Sequence, residues 1–226
     1  MKTIVFTIIF IIGLAVFGVQ PVLAHQPRIT RDAETVVVDP EISKAYYGQL
    51  SGSAHTYTIN APNSFELYIG ILVPDASGAH KDVTAEIFRG EEALASIGGV
   101  SAEWKKFFEP FGYSTYWDGG EYKARVEAGI YRIMVRSPNY DSRYSLAVGS
   151  IEVFDMQESL NAIKLIPELK QNFFDESPAN FILSPFGFGY IIIMYLLAFV
   201  FGLAYRFVLK KMSAGTPRGL HKNIGK

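Results

Sequence analysis

The run Phe186 to Leu209, FGFGYIIIMYLLAFVFGLAYRFVL, carries no charge before Arg206. It is long enough to cross about 30 Å of hydrocarbon as a helix. Because lipid offers no partner to a backbone N–H or C=O, a stretch this apolar has few alternatives to a helix that satisfies those groups internally. The sequence therefore predicts one transmembrane helix over 186–209. Pro185 stands just before it, where a proline suits the first helical turn, and Tyr190 and Tyr205 fall where interfacial anchors belong.

Charge divides around this run. Residues 25–185 hold 14 Lys and Arg against 22 Asp and Glu, a net −8, whereas residues 186–226 hold six basic side chains and no acid. Arg206, Lys210 and Lys211 lead that basic group, and the positive-inside rule places it in the cytoplasm, against anionic lipid. At the other end, Lys2, the apolar run Ile4 to Val19, Pro21 and the small-residue ending Val22-Leu23-Ala24 have the layout of a secretory signal peptide. Cleavage there leaves His25 as the new N-terminus; an uncleaved signal anchor is the alternative. The two signals agree on a single-pass type I protein of the cell membrane, with its N-terminal domain outside and its tail in the cytoplasm. The expected organisation is a signal peptide over 1–24, an extracellular domain over 25–155, an amphipathic helical stalk and linker over 156–185, the span over 186–209 and a basic tail over 210–226.

The near-neutral total of −1 hides this asymmetry. Balanced charge and a 49% apolar content exclude a strongly basic nucleic-acid binder, a disordered chain and a collagen-like chain. The absence of cysteine excludes disulfides, thiolate metal sites and a cysteine nucleophile.

Between Thr30 and Val153 apolar residues alternate with polar ones in short runs bounded by Gly, Pro, Asn, Asp and Ser, the pattern of half-buried strands. Nine candidates follow: 35–38, 44–50, 55–59, 65–73, 83–89, 93–97, 121–126, 130–136 and 144–148. So many short strands in one domain predict a mostly β, antiparallel sandwich. Val83, Ala85 and Ile87 share one face, as do Tyr131, Ile133 and Val135, and Tyr144, Leu146 and Val148; Thr84, Glu86, Arg132 and Ser145 fall on the wetter side. FELYIGILV, Phe65 to Val73, is apolar enough for a central strand covered on both faces. After Val153 the period lengthens: Leu160, Ile163, Ile166, Leu169 and Phe173 mark one or two amphipathic helical turns, interrupted or restarted at Pro167, resting on lipid or on the sandwich.

The segment VEAGIYRIMVRSPNYDSRYSLAVG, Val126 to Gly149, resembles the closing hairpin of bacterial pre-peptidase C-terminal domains, with Ala128, Gly129, Tyr131, Tyr144 and Leu146 in the matching places. YYGQLSGSAHTYTINAP, Tyr46 to Pro62, is similar to that family's Gly-x-Leu strand and the strand after it. The resemblance implies a jelly-roll-like sandwich with a binding or accessory role, and no catalytic residue.

Three constellations bear on chemistry. His25 as a free N-terminus, with His55 and His80, offers a nitrogen set for Cu(II). Asp75 and Asp82 flank one loop and offer oxygen ligands to Ca²⁺. The aromatic insert FFEPFGYSTYWDGGEY, preceded by Trp104, is the most distinctive stretch outside the membrane. Trp104, Tyr113, Tyr116, Trp117 and Asp118 make it a candidate platform for a protein or glycan partner, unless the loop folds back to cap the sandwich. No Gly-x-Ser-x-Gly, His-Glu-x-x-His or phosphate-loop motif occurs. The sequence thus points to a membrane-anchored binding or interaction module whose other partner is the bilayer, with no cofactor required. A copper-binding protein and a membrane-tethered enzyme with an unrecognised site are the alternatives.

Overall fold

The computed structural model describes residues 25–153 and 155–214, so the candidate signal peptide and residues 215–226 of the tail lie outside the described residues. The chain divides between Gly187 and Phe188 into two compact units. The first is a two-sheet sandwich with a helix packed on one face. The second continues a long apolar helix.

Eleven strands build the sandwich: β1 (Gln26–Thr30), β2 (Glu34–Val36), β3 (Lys44–Gln49), β4 (His55–Ala61), β5 (Phe65–Pro74), β6 (Thr84–Arg89), β7 (Glu92–Gly98), β8 (Lys105–Glu109), β9 (Ser114–Val126), β10 (Gly129–Arg136) and β11 (Arg143–Val148). The first sheet has the order β1-β3-β11-β5-β9-β8 and the second β2-β4-β10-β6-β7. All nine strands expected from alternation are present, in part or whole. The pairing is antiparallel except at two edges, where β1 runs parallel to β3 and β2 parallel to β4. Pro27 sits within β1, which an edge strand tolerates because one side of it needs no ladder donor.

The shared core lies between the sheets. Tyr57 and Ile59 of β4, Leu67, Ile69 and Ile71 of β5, Ala85 and Ile87 of β6, Tyr131, Ile133 and Val135 of β10 and Tyr144, Leu146 and Val148 of β11 are shut off from solvent there. The polar ends of its tyrosines are satisfied inside: the Tyr144 hydroxyl lies 2.8 Å from that of Tyr57 and 2.7 Å from His55 Nδ1. Burial pushes the His55 imidazole below its usual pKa, which favours the neutral ring in this network.

The two sheets differ on their outer faces. β4 and β10 alternate between buried and wet positions, whereas β11 is buried at every residue after Arg143 and β5 is buried at seven of its ten. Ser145, expected on the wetter side, is buried as well. The cause is helix α1 (Met156–Asn172), which lies over the first sheet. Asp155 caps it by accepting from the Glu158 N–H at 2.8 Å. Of the two seats the sequence allowed it, lipid or sandwich, it takes the sandwich. It also runs unbroken through Pro167, so apolar contacts on both sides of that residue outweigh a break costing about 3 kcal/mol. Its buried stripe is Ala162, Ile166, Leu169 and Lys170, continued by Phe173, while Leu160 is exposed.

A 3-10 helix (Pro178–Leu183) follows, and then α2 (Pro185–Ala214). Ser184 Oγ accepts from the Gly187 N–H at 3.1 Å, which with Pro185 defines where α2 starts. Within α2, Gly187–Met212 is long and apolar enough to cross a membrane, with mean hydropathy 2.2.

Gly48 tests the inner core. A Cβ at this residue meets the hydroxyl and ring of the buried Tyr144 at 2.6–2.9 Å. Because that ring is pinned by His55 and Tyr57, Gly48→Ala is expected to destabilise the sandwich by about 2 kcal/mol, measured by urea unfolding of the purified protein beside the exposed control Ser53→Ala.

Candidate functional site

The aromatic insert is a β-hairpin, not a loop. Lys105–Glu109 pairs with Ser114–Asp118, and the long strand β9 then continues against β5. Two turns of chain shape it. At the tip, the Glu109 carboxyl turns back to accept from the backbone N–H groups of Phe111 and Gly112, at 2.5 and 2.7 Å. Farther on, Asp118 Oδ1 accepts from the Gly120 N–H at 2.8 Å at a bulge, where the register against β5 shifts. Trp104 fills the space over Gly119, whose absent Cβ would fall 2.6 Å from the indole, and its Nε1 donates to Gly99 O at 3.0 Å.

This geometry distributes the five insert residues among separate places. Trp104 packs against the inner core and Asp118 shapes the bulge. Trp117 donates to Asp75 Oδ1 at 3.0 Å, with the Lys81 ammonium 3.9 Å and that of Lys106 5.4 Å from its ring. Tyr116 is buried on the opposite face beneath α1, and Tyr113 projects at the exposed tip. The carboxylates proposed for calcium have protein partners. Lys106 pairs with Asp75 at 2.7 Å and holds its carboxyl below the usual range, and Asp82 accepts from Ser142 Oγ at 2.8 Å. The histidines are dispersed: His25 bonds Ser43 Oγ through Nδ1, His55 belongs to the inner core and His80 is exposed. Among the described residues no three His, Asp or Glu side chains gather where they could hold a metal. Arg206, Lys210 and Lys211 lie exposed near the C-terminal end of α2.

What the structure does bring together is a cavity of about 320 Å³ between the outer face of the first sheet and α1. Ala45, Tyr47, Leu72, Phe107 and Tyr116 rise from the sheet, Phe111 comes from the hairpin tip, and Ile166 and Leu169 descend from the helix. The Tyr47 and Tyr116 hydroxyls are 2.9 Å apart, Ser145 Oγ is buried among the lining residues, and His25, Ser43, Tyr68, Glu109, Ser150 and Glu152 also line the wall. Burial raises the Tyr47 and Tyr116 phenols well above the usual tyrosine range, lowers His25 and pushes Glu109 up to about 7. A compact apolar cavity with several perturbed groups on its wall has the composition of a small-molecule site.

No family model matches the sequence, and no curated protein matches it. Among solved structures it is similar to PliG of Aeromonas hydrophila, a periplasmic inhibitor of g-type lysozyme, at 17% identity and TM-score 0.35 over 54% of this chain and 97% of the inhibitor. It is also similar to the pre-peptidase C-terminal domain of a Bacillus anthracis collagenase, at 14% identity and TM-score 0.32 over 55% and 96% of the two chains. A third similarity is to CorA, a surface-associated copper-binding protein of Methylomicrobium album BG8, at 12% identity and TM-score 0.25 over 54% and 98%. All three likenesses are weak.

The cavity depends on how α1 is held. Arg28 of β1 donates to both Glu158 oxygens, at 2.9 and 2.6 Å, and Arg143 of β11 grips Asp175 at 2.9 and 2.7 Å. Between them lies the fully buried ammonium of Lys170, which donates to Tyr113 O at 2.5 Å, Ser114 Oγ at 2.9 Å and Glu176 Oε2 at 2.8 Å. The apolar stripe of α1 gave the reading of a helix here, but no sequence signal marks a lysine inside it.

Two outcomes follow from this wall. Lys170→Met leaves the hairpin tip without its cation and is expected to cost about 3 kcal/mol, read by urea unfolding, with Lys164→Met on the exposed side of α1 near neutral. Glu109 has a folded pKa near 7, above its unfolded value, so its contribution to stability is fully present below the unfolded pKa and is lost as pH rises through about 7. Glu109→Gln stays neutral throughout. Its melting temperature should therefore fall less than the wild type's between mildly acidic and mildly alkaline pH; parallel curves would place the Glu109 titration elsewhere.

Proposed function

We propose that the protein is a single-pass membrane protein whose sandwich lies outside the cytoplasm and acts by binding, through the cavity beneath α1. The cavity carries the reading. Its volume lies at the lower end of the range for small-ligand sites, about 300–1,000 Å³. A largely apolar wall and a few phenol, hydroxyl and carboxyl groups suit a small amphipathic molecule, with an apolar body against Leu72, Phe107 and Leu169 and a hydrogen-bonding end toward Tyr47 and Tyr116. The Tyr47–Tyr116 pair can donate or accept, so a hydroxyl or amide end is matched better than a carboxylate, which Glu109 would repel in its ionised form. The basic side chains Arg206, Lys210 and Lys211 support a cytoplasmic C-terminus.

Ala45 lines the cavity floor and is itself buried, so Ala45→Leu fills ligand space with hydrocarbon. Fluorinated phenols and fluorinated alkyl amides, presented to the full-length protein in lipid nanodiscs, are expected to show fluorine NMR line broadening. Ala45→Leu should abolish that broadening while keeping or raising the melting temperature. Equal broadening in wild type and Ala45→Leu would mean that the probes enter lipid alone and the cavity binds none of them.

A further inference from the structure

The tip of the β8–β9 hairpin presents apolar rings to solvent, away from the inner core. Phe108 is 48% and Tyr113 43% exposed, and the two rings meet edge to face with centroids 5.2 Å apart. Tyr113 holds a left-handed backbone conformation, φ 55°, which an L residue adopts only where its surroundings fix it. Here the buried Lys170 ammonium clamps its carbonyl. The one acid of the tip, Glu109, is turned back into its own turn, so Phe108 to Tyr113 extends no carboxylate outward.

The neighbour of this tip is decisive. Phe111, at its apex, packs in one small core with Ala162 and Ile166 of α1 and with Phe181 of the 3-10 helix. The two residues after Phe181 are again large, apolar and exposed, Ile182 at 47% and Leu183 at 56%. Gly187, where the apolar stretch of α2 begins, is six positions on from Phe181, a reach of at most roughly 20 Å of extended chain. Exposed rings beside a segment that leads so directly into a membrane span suit the headgroup level, where an amphipathic ring keeps one side in apolar surroundings and the other in water.

We propose that Phe108, Tyr113, Ile182 and Leu183 form one membrane-contacting surface that seats this end of the sandwich on the bilayer interface. The proposal rests on the reading of α2 as a membrane span and adds a second, non-covalent attachment. It gives the exposed rings a partner. It also brings the Phe107 and Phe111 part of the cavity wall to the side of the domain nearest lipid.

The cysteine-free chain makes the test direct. Single cysteines are placed at Phe108, Tyr113 and Leu183, at Glu91 in the turn between β6 and β7 as a solvent control, and at Leu197 within α2. Each is labelled with an environment-sensitive nitrobenzoxadiazole dye in the full-length protein. The proteins are then reconstituted into phosphatidylcholine vesicles with and without lipids bearing a nitroxide, either near the headgroup or deep in the acyl chain. Dyes at residues 108, 113 and 183 are expected to be quenched by the shallow nitroxide about twofold or more beyond the dye at residue 91, and the dye at residue 197 by the deep one. Quenching at 197 with 108 and 113 indistinguishable from 91 overturns the proposal and leaves the span intact. Absence of quenching at 197 overturns the span, and the proposal with it.

Discussion

The constraint on which this molecule turns is that the centre of its first sheet is apolar on both faces. In an ordinary two-sheet sandwich one face of each sheet meets the other and the remaining face meets water. Here β5 and β11 carry Leu72, Gly70, Ser145 and Ala147 outward, beside Ile29 and Tyr47 from the neighbouring strands. No charge interrupts that central strip, so it needs a cover. Helix α1 supplies one, and its amphipathic stripe is explained by this sheet, since its buried residues pack there and its lysine is held by a protein carbonyl, hydroxyl and carboxylate.

Such a cover cannot fit everywhere. Where large rings stand on the sheet at Tyr47 and Tyr116, the helix is held off. Where the sheet offers only Ala45 and Ser145, nothing fills the gap, and the cavity is what remains. Its edges are set by ion pairs at the two ends of α1, Arg28 with Glu158 and Arg143 with Asp175. These pairs are partly exposed, so their value lies less in net stability than in fixing the helix position against the sheet. Lys170 differs from them: buried beneath the helix, it couples α1 to the hairpin tip and so ties the cavity's roof to one of its walls.

How much of this was legible in the sequence depended on whether the pattern was local. The nine alternating runs appear as strands because period-two burial is written into consecutive residues, as in Val83, Ala85 and Ile87. β1 escaped notice because five residues around a proline carry too little alternation. The hairpin escaped because Pro110, Gly112, Gly119 and Gly120 read as loop punctuation, whereas the first pair shapes a tight tip and the second a bulge inside a continuing strand. Pro167 misled in the same way, since its local cost is visible in sequence and the packing that outweighs it is not. The resemblance to pre-peptidase C-terminal domains located a sandwich, but the cavity lay beyond reach because its lining is drawn from residues 25 to 169 and depends on where α1 docks. Tyr116 illustrates the limit: adjacent to Trp117, it looks like part of the same aromatic platform, yet strand alternation sends the two rings to opposite faces.

That alternation also gives the hairpin its three tasks. One face, through Phe107 and Tyr116, walls the cavity. The other, through Lys106 and Trp117, closes the side of the sandwich with a cation, an indole and the Asp75 carboxylate. The tip, held by Glu109 from within and Lys170 from beneath, meets the 3-10 helix that leads into α2. A ligand entering beneath α1 would press on Leu169 and Ile166, neighbours of the lysine that clamps Tyr113, so occupancy of the cavity and the set of the tip share one rigid element. Two contacts link them: Lys170, which hydrogen-bonds the hairpin, and Phe111 at its apex, which packs on Ala162 and Ile166. Rigid-body movement of α1, rather than flexing of the sheet, is therefore the motion by which binding could be felt at the hairpin tip.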